Sequence, residues 1–339
     1  MPQSYFIDTS KPPRAPEEVA PTWRPEQLNK AAGYLPTEAL VDAMNVSLLL
    51  GQPLLLTGEP GTGKTQFAYY VSWMLRLHPP LVFETKSTST ARELFYTYDA
   101  LGRFRDAQKG EGDSQPGGQH EYFTWGPLGE AIRRAADGEL SQLPPSPYHS
   151  HERKSVVLID EVDKAPRDFP NDILNEVENL SFRIPELRDP ESRTALEVEA
   201  DPALRPIVIL TSNSEKSLPE AFLRRCVYYS ISPPSKDELL DIVDSRVGRE
   251  IRGAEGWAGD AIDLFLTLRM RDNGIQKKPA TAELLGWLKA LHRKRELSGG
   301  DAQPLRHQTK MIEPTLIVLL KSGEDQERGK EILEEWSAG

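Results

Sequence analysis

Several things are scarce in this sequence, and each scarcity removes a class of protein. Among 339 residues there is one cysteine, Cys226, so no disulfide can form within the chain. That fits a reducing compartment. Apolar runs are short. Leu48–Leu50 with its neighbours and Leu316–Leu320 fall far below the ~20 apolar residues that a membrane-spanning helix needs. The first residues, MPQSYFIDTSKPPRAP, contain no charged segment followed by an apolar one, so they do not read as a secretory leader. The expectation is a cytoplasmic protein without membrane insertion. Basic residues are also in deficit: 41 Lys and Arg against 52 Asp and Glu leave a formal net charge of -11. A duplex-binding surface needs basic stripes, so nucleic acid is a disfavoured partner, although a local basic patch inside a ring or pore would not show in this balance.

What remains is an ordinary globular composition, 38% hydrophobic and 27% charged. The length suggests two domains or one large one. Residues 1–26 hold six prolines and little periodicity, which predicts an extended arm over 1–27. Helical spacing of Leu40, Val41, Met44 and Leu48 predicts a helix over Leu35–Leu50, and a buried strand follows at Pro53–Thr57. A helix from Lys64 to about Leu77 comes next, with Phe67 and Trp73 read as core residues, and then a strand at Leu81–Glu84. Residues 102–120, rich in glycine and charge, read as a solvated loop or hairpin tip, and the proline-rich residues 143–151 as a loop. Further predicted elements are a helix at Leu128–Ala136, strands at Ser155–Asp160 and Pro206–Thr211, and a helix at Asn171–Leu180. After Pro233-Pro234 strand-like runs vanish. Helical patterns take over at Lys236–Val247, Ala258–Met270, Ala282–Arg295, Ile312–Lys321 and Glu327–Trp336. The fold class is therefore α/β, a parallel sheet with flanking helices, over 28–232, followed by a smaller all-α domain over 233–339.

Four segments carry chemistry. The first is Gly58-Glu59-Pro60-Gly61-Thr62-Gly63-Lys64-Thr65, which fits G-x-x-x-x-G-K-[ST] between a predicted strand and a predicted helix. Glycines allow backbone N–H groups to face phosphate oxygens, and the helix start adds its positive end. Residues 58–66, through Gln66, are thus candidates to cradle ATP. Lys64 would reach the β- and γ-phosphates, and Thr65 would ligate Mg²⁺. The second is VVLIDEVD, Val156–Asp163, a buried strand ending in two carboxylates. Strand alternation would send Asp160 and Glu161 to different sides, so that Asp160 can hold Mg²⁺ while Glu161 acts as general base. The third is IVILTSN, ending at Asn213, whose amide either orients the attacking water or simply forms a turn. The fourth is LPEAFLRRC, where Arg224 and Arg225 are either a solvated pair or a source of charge for a transferring phosphoryl group.

In this order and at these intervals the segments resemble the AAA+ ATPases, specifically the MoxR-type branch, over about residues 28–300. GEPGTGKT looks like Walker A, VVLIDEVDKAP like Walker B, and ILTSN like the sensor 1 strand with Asn213. LPEAFLRRC resembles the segment that carries the family's arginine finger. The resemblance favours Arg225 for that role, with Arg224 second. YFTWGPLGEAI, from Tyr122, resembles the aromatic stretch that follows the branch's helix-2 insert, which would lie near 95–127. The closest likeness is to members paired with von Willebrand factor A-type proteins, such as carbon monoxide dehydrogenase accessory ATPases. The family's pattern also places Tyr34 and Leu35 near the adenine. One departure stands out. Where MoxR-type proteins show Ser-Pro-Arg, this chain reads Lys277-Lys278-Pro279-Ala280, so the arginine position falls on Ala280, with Lys277 or Lys278 as candidate substitute cations that lack the rigid fork of an arginine.

The resemblance implies an oligomeric ATPase, a hexameric ring, that remodels a protein client. ATP and Mg²⁺ would be held by Lys64, Thr65 and Asp160, with Arg225 supplied by the adjacent subunit. Competing readings are an ATP-gated binding module with slow turnover, a monomeric P-loop kinase, and a nucleic-acid motor. The adjacent Asp-Glu pair and the helical domain of about 100 residues disfavour the kinase. The net charge disfavours the motor.

Overall fold

The computed structural model describes residues 31–109, 122–136, 153–188, 194–214, 218–247, 257–297 and 304–338. The proline-rich arm and the loop at 143–151 lie outside these residues. The chain divides into two compact units. One holds 36–58 and 63–231. The other holds the described residues of 31–35, Glu59–Thr62 and the chain from Ser232 onward.

The first unit is built on a five-stranded, all-parallel sheet. Its strands are β1 (Leu54–Gly58), β2 (Leu81–Glu84), β5 (Val156–Asp160), β8 (Ile207–Thr211) and β9 (Val227–Ile231), in the order β2-β5-β8-β1-β9. The three inner strands read as apolar runs because both faces are covered. Leu54–Leu56, Val157–Ile159 and Ile209–Leu210 are fully buried. The register sets Ile159 opposite Leu210 and Leu54 opposite Ile209. The polar residues that end β5 and β8 therefore emerge side by side, next to the loop that leaves β1.

Local chemistry fixes the helix ends. Thr37 caps the helix Glu38–Leu50 by accepting the N–H of Leu40, and Gly51 ends it at φ 63° in the left-handed region. The helix starts three residues later than the sequence pattern suggests because this cap precedes it. The helix Lys64–Met74 stops short of the expected Leu77. Phe67 is buried on it, whereas Trp73 is half exposed and is not a core residue. The expected helix over Asn171–Leu180 is two short ones, Phe169–Asp172 and Leu174–Asn179, separated at Ile173 and ended by Leu180 at φ 51°.

Two small antiparallel ribbons have strands that the sequence reading did not identify, although a hairpin tip at 102–120 was one of its alternatives. In one, β3 (Tyr96–Tyr98) pairs with β4 (Phe123–Trp125), setting Tyr96 opposite Trp125. Between them, the helix Ala100–Lys109 replaces the loop expected at 102–109. Asp99 accepts the N–H of Gly102 at 2.8 Å, as a capping residue does. The remainder of that expected loop is outside the described residues. In the other ribbon, β6 (Ser181–Arg188) pairs with β7 (Ala195–Glu199). Tyr96, Phe123, Trp125 and Phe182 interlock the two ribbons through stacked and edge-on rings.

The helix Pro127–Ala135 packs against the backbone of the segment before β3. A Cβ on Gly129 would lie 2.0 Å from the carbonyl oxygen of Phe95, so only glycine allows that approach. Its carboxylate Glu130 is fully buried and is held by Arg133 at 2.9 Å and Arg134 at 2.7 Å. A buried carboxylate survives only with such partners.

The second unit is helical. Lys236–Val247, Trp257–Arg269, Thr281–Leu297 and Gly323–Ala338 enclose a core that includes Trp257, Phe265, Trp287 and Leu320. The helix expected at Ile312–Lys321 is a single turn, Thr309–Ile312, running into the 3₁₀ segment Glu313–Val318, which contains Pro314. Buried Asp325 accepts the N–H groups of Gln276 at 2.8 Å and Lys277 at 3.1 Å. Burial pushes its carboxyl up, but these bonds and the Ser322 hydroxyl outweigh it and hold the group below the usual carboxylate range.

Candidate functional site

The turn after β1 is shaped by glycine. Gly63 lies at φ 88° and starts the helix Lys64–Met74 without a side-chain cap. A helix start left uncapped by side chains, on an 11-residue helix, has its positive end directed at the loop. Lys64 begins that helix and is buried. Its Nζ donates to the carbonyl oxygen of Gly58 at 2.8 Å and to Oδ1 of Asn213 at 3.0 Å. The lysine thus ties the loop after β1 to the residues after β8.

The next residue makes the link to β5. The Thr65 hydroxyl donates to the Asp160 carboxylate, at 3.0 and 3.1 Å from its two oxygens. Asp160 also accepts from the Thr211 hydroxyl at 2.5 Å, and the same Thr211 oxygen accepts the N–H of Glu161 at 2.8 Å. Thr211 is therefore a relay that fixes both residues of the acidic pair. It is fully buried, and its role depends on the β5–β8 register, so no spacing rule in the sequence singles it out.

Glu161 does not follow strand alternation. The strand ends at Asp160, and Glu161 takes φ 55°, in the left-handed region. Such a conformation is rare for a non-glycine residue and persists where the surroundings hold it, here by the Thr211 bond. It is this backbone turn, rather than the pleat, that separates the Asp160 and Glu161 side chains. The Glu161 carboxylate forms an ion pair with Lys164, whose ammonium that bond pushes up from its usual range. Its other oxygen faces the Asn213 amide nitrogen at 3.5 Å, the long limit of a hydrogen bond. Asn213 in turn has its N–H on Asp163 at 3.2 Å. Tyr69, on the helix after the loop, is a neighbour that sequence reasoning missed. Burial first, then the charges of Asp160 and Glu84, push its phenol up.

Lys64, Thr65, Asp160, Glu161 and Asn213 are thus brought into one network. Arg224 and Arg225 are not part of it. Both stand at the end of the short helix Glu220–Leu223, largely exposed. Arg224 pairs with Glu220 at 3.1 Å and Arg225 with Glu178 at 3.1 Å. Beside them, burial pushes the Cys226 thiol up to about 12. Tyr34 and Leu35 belong to the other unit, where Leu35 is exposed and Gly33 accepts a hydrogen bond from Ser245. Glu59, Pro60, Gly61 and Thr62 also group with that unit.

A strand, a glycine turn, a buried lysine and a helix start, facing an aspartate and an asparagine on neighbouring strands, form an apparatus for a nucleoside triphosphate. A family model described as the AAA domain of the dynein-related subfamily matches residues 53–226, more than half of the chain. The chain belongs to this AAA family. Its matched region spans every strand of the parallel sheet except the last, β9. No curated protein matches the sequence. Among solved structures, a point mutant of RuvB from Thermotoga maritima is similar at 13% identity, covering 86% of this chain and 73% of that one, with a TM-score of 0.44. AAA+ ATPases in general use ATP and Mg²⁺ and are typically oligomeric. Among the described residues of this AAA protein, no helix is long and apolar enough to cross a membrane.

The residues fit both groups. Lys64 is a buried cation whose partners include the neutral oxygens of Gly58 and Asn213, which phosphate oxygens can replace. Thr65 and Asp160 offer the hydroxyl and carboxylate that a hard divalent cation prefers.

Proposed function

We propose that this AAA protein hydrolyses ATP as a subunit of a ring, a hexamer, and uses the cycle to remodel a protein client. The observation that carries this reading is the Thr211 relay, which sets Asp160 against Thr65 and Glu161 beside Asn213 in one arrangement. Binding alone needs Lys64, Thr65 and Asp160. A second carboxylate placed beside an amide is what hydrolysis needs in addition.

Residues 58–66 cradle the triphosphate, and Lys64 neutralises its β- and γ-oxygens. Thr65 and Asp160 would hold Mg²⁺, which supplies charge neutralisation on the phosphates. Asn213 orients a water with its amide. Glu161 takes a proton from that water as its oxygen attacks the γ-phosphorus, and ADP leaves with the bridging oxygen. Arg225 of a neighbouring subunit, or Arg224 in second place, offsets charge that develops on the transferring group. The exposure of both arginines suits a residue offered outward. Tyr34 and Leu35 remain the candidates for the adenine end. The MoxR-like segments make a von Willebrand factor A-type protein the proposed client, and the cytoplasm the proposed location.

The test is ATPase rate per subunit against protein concentration. A rate that climbs through assembly, and is lost in Arg225→Ala while nucleotide still binds, supports the reading. A flat rate with Arg225→Ala harmless sinks the intersubunit arginine. One observation favours a second reading, an ATP-gated switch with slow turnover. One Glu161 oxygen is engaged by Lys164, a contact that competes with water for the carboxylate. A Lys164→Ala variant with unchanged turnover removes that alternative's support.

A further inference from the structure

The tip of the phosphate loop carries an acid, Glu59, in a segment proposed to receive a polyanion. Coulomb repulsion between that carboxylate and the phosphates opposes binding unless the charge is compensated. Lys64, further along the loop, is engaged with Gly58 and Asn213. Compensation comes from the helical unit that includes the loop tip. Arg269 is the last residue of the helix Trp257–Arg269, and its Nη2 donates to Oε2 of Glu59 at 2.5 Å. Its Nη1 donates to the carbonyl oxygen of Pro279, and the guanidinium lies 5.7 Å over the ring of Phe265. Only 13% of the Arg269 side chain is exposed, against 46% for Glu59. The arginine is therefore fixed on three sides, and the glutamate is the more exposed member of the pair. An ion pair with one partner so enclosed is screened less than a surface pair.

The contact beside it explains why the arginine is needed. Ala280 immediately precedes the helix Thr281–Leu297, and its N–H is taken by Glu283 at 2.6 Å. Its methyl presses on the loop so closely that a Cβ added to Gly61, at φ 76°, would lie 2.6 Å from it. The residue of this helix start that meets the loop tip brings shape and no charge. Arg269, arriving from the preceding helix and joined to the same turn through Pro279, brings the cation.

We propose that Arg269 is a positioning residue for the nucleotide. It neutralises Glu59 and pins the loop tip, so that a loop carrying an acid can still accept a triphosphate. The inference rests on the reading of Gly58–Thr65 as the ATP site. Because Arg269 acts through Glu59 and not on the transferring group, its removal raises KM and leaves kcat nearly unchanged.

The experiment is equilibrium titration of the full chain with a fluorescent ATP analogue and Mg²⁺, as wild type, Arg269→Ala, Arg269→Lys, Glu59→Gln and the double variant, with steady-state ATPase alongside. Arg269→Ala is expected to weaken binding about tenfold, ~1.4 kcal/mol. Arg269→Lys, which keeps the charge but not the fork, recovers part of the loss and shows that the unit still folds. In the Glu59→Gln background, loss of Arg269 is expected to cost less than about twofold, because the charge to be compensated is gone. An Arg269→Ala protein that binds as wild type overturns the inference. So does an equal loss in both backgrounds, or a fall in kcat with KM unchanged. Failure of the wild type itself to bind nucleotide overturns the ATP reading, and this inference with it.

Discussion

At the phosphate loop, six side chains next to three adjacent strand ends are linked to one another, with Lys64 and Thr211 buried among them. At the far end of the same unit, Arg224 and Arg225 stand exposed, each paired with a carboxylate that is itself exposed. Buried polar groups must be satisfied within the chain, so the first cluster is complete as it stands. Exposed pairs of the second kind contribute ~0–1 kcal/mol and are readily exchanged for another partner. The contrast separates two jobs. On the proposed reading, the phosphate end is assembled by folding, whereas the arginine end waits for a neighbouring subunit.

The largest expected effect probes the first cluster. Glu161→Gln removes the proton acceptor while leaving Lys64, Thr65 and Asp160 in place. Turnover should fall ~10²–10⁴-fold with nucleotide affinity within a few-fold of wild type, read by ATPase assay and fluorescent nucleotide titration. Equal loss of both would mean that the cluster does not divide into binding and hydrolysis. Next comes Thr211→Val, which keeps shape but deletes the hydroxyl that links Asp160 to the Glu161 N–H. A loss of roughly 10–100-fold in kcat/KM is expected, as for other residues that orient a metal-binding or catalytic group. An unaffected enzyme would remove the relay from the account. The smallest effect belongs to the other end. Glu178→Gln should change turnover by less than about twofold, because an exposed pair holds Arg225 only weakly. A loss as large as that of Arg225→Ala would show that Glu178 is part of the apparatus.

How much of this was legible beforehand depended on whether a role is fixed by residue type or by register. The convergence of Thr65 on Asp160, with Lys64 beside it, was legible because the glycine-loop pattern fixes where the lysine and threonine fall after a strand. The apolar runs of β5 and β8 announced buried parallel strands. Thr211 was not legible, since one more threonine at a strand end acquires its role only when Ile159 lies opposite Leu210. The turn at Glu161 was misread as pleat alternation, because nothing local marks a left-handed glutamate. β9 was missed because alternating exposure, Val227–Ile231, gives a mixed pattern at the sheet's edge. The ribbons β3–β4 and β6–β7 were missed because their strands pair across intervening chain and lean on a shared aromatic cluster. Trp73 misled in the opposite direction, as a large aromatic on an amphipathic helix that lies half exposed.

The division between the two ends is tested most directly by mixing two crippled proteins. Lys64→Ala lacks the phosphate end and Arg225→Ala lacks the arginine end, and each alone should hydrolyse ATP at a small fraction of the wild-type rate. In a ring with head-to-tail contacts, equal mixing places an intact Lys64 against a neighbour's intact Arg225 at about a quarter of the seams. Activity is expected to recover to about that fraction. No recovery on mixing, or an Arg225→Ala protein that is fully active by itself, would contradict a site shared between subunits.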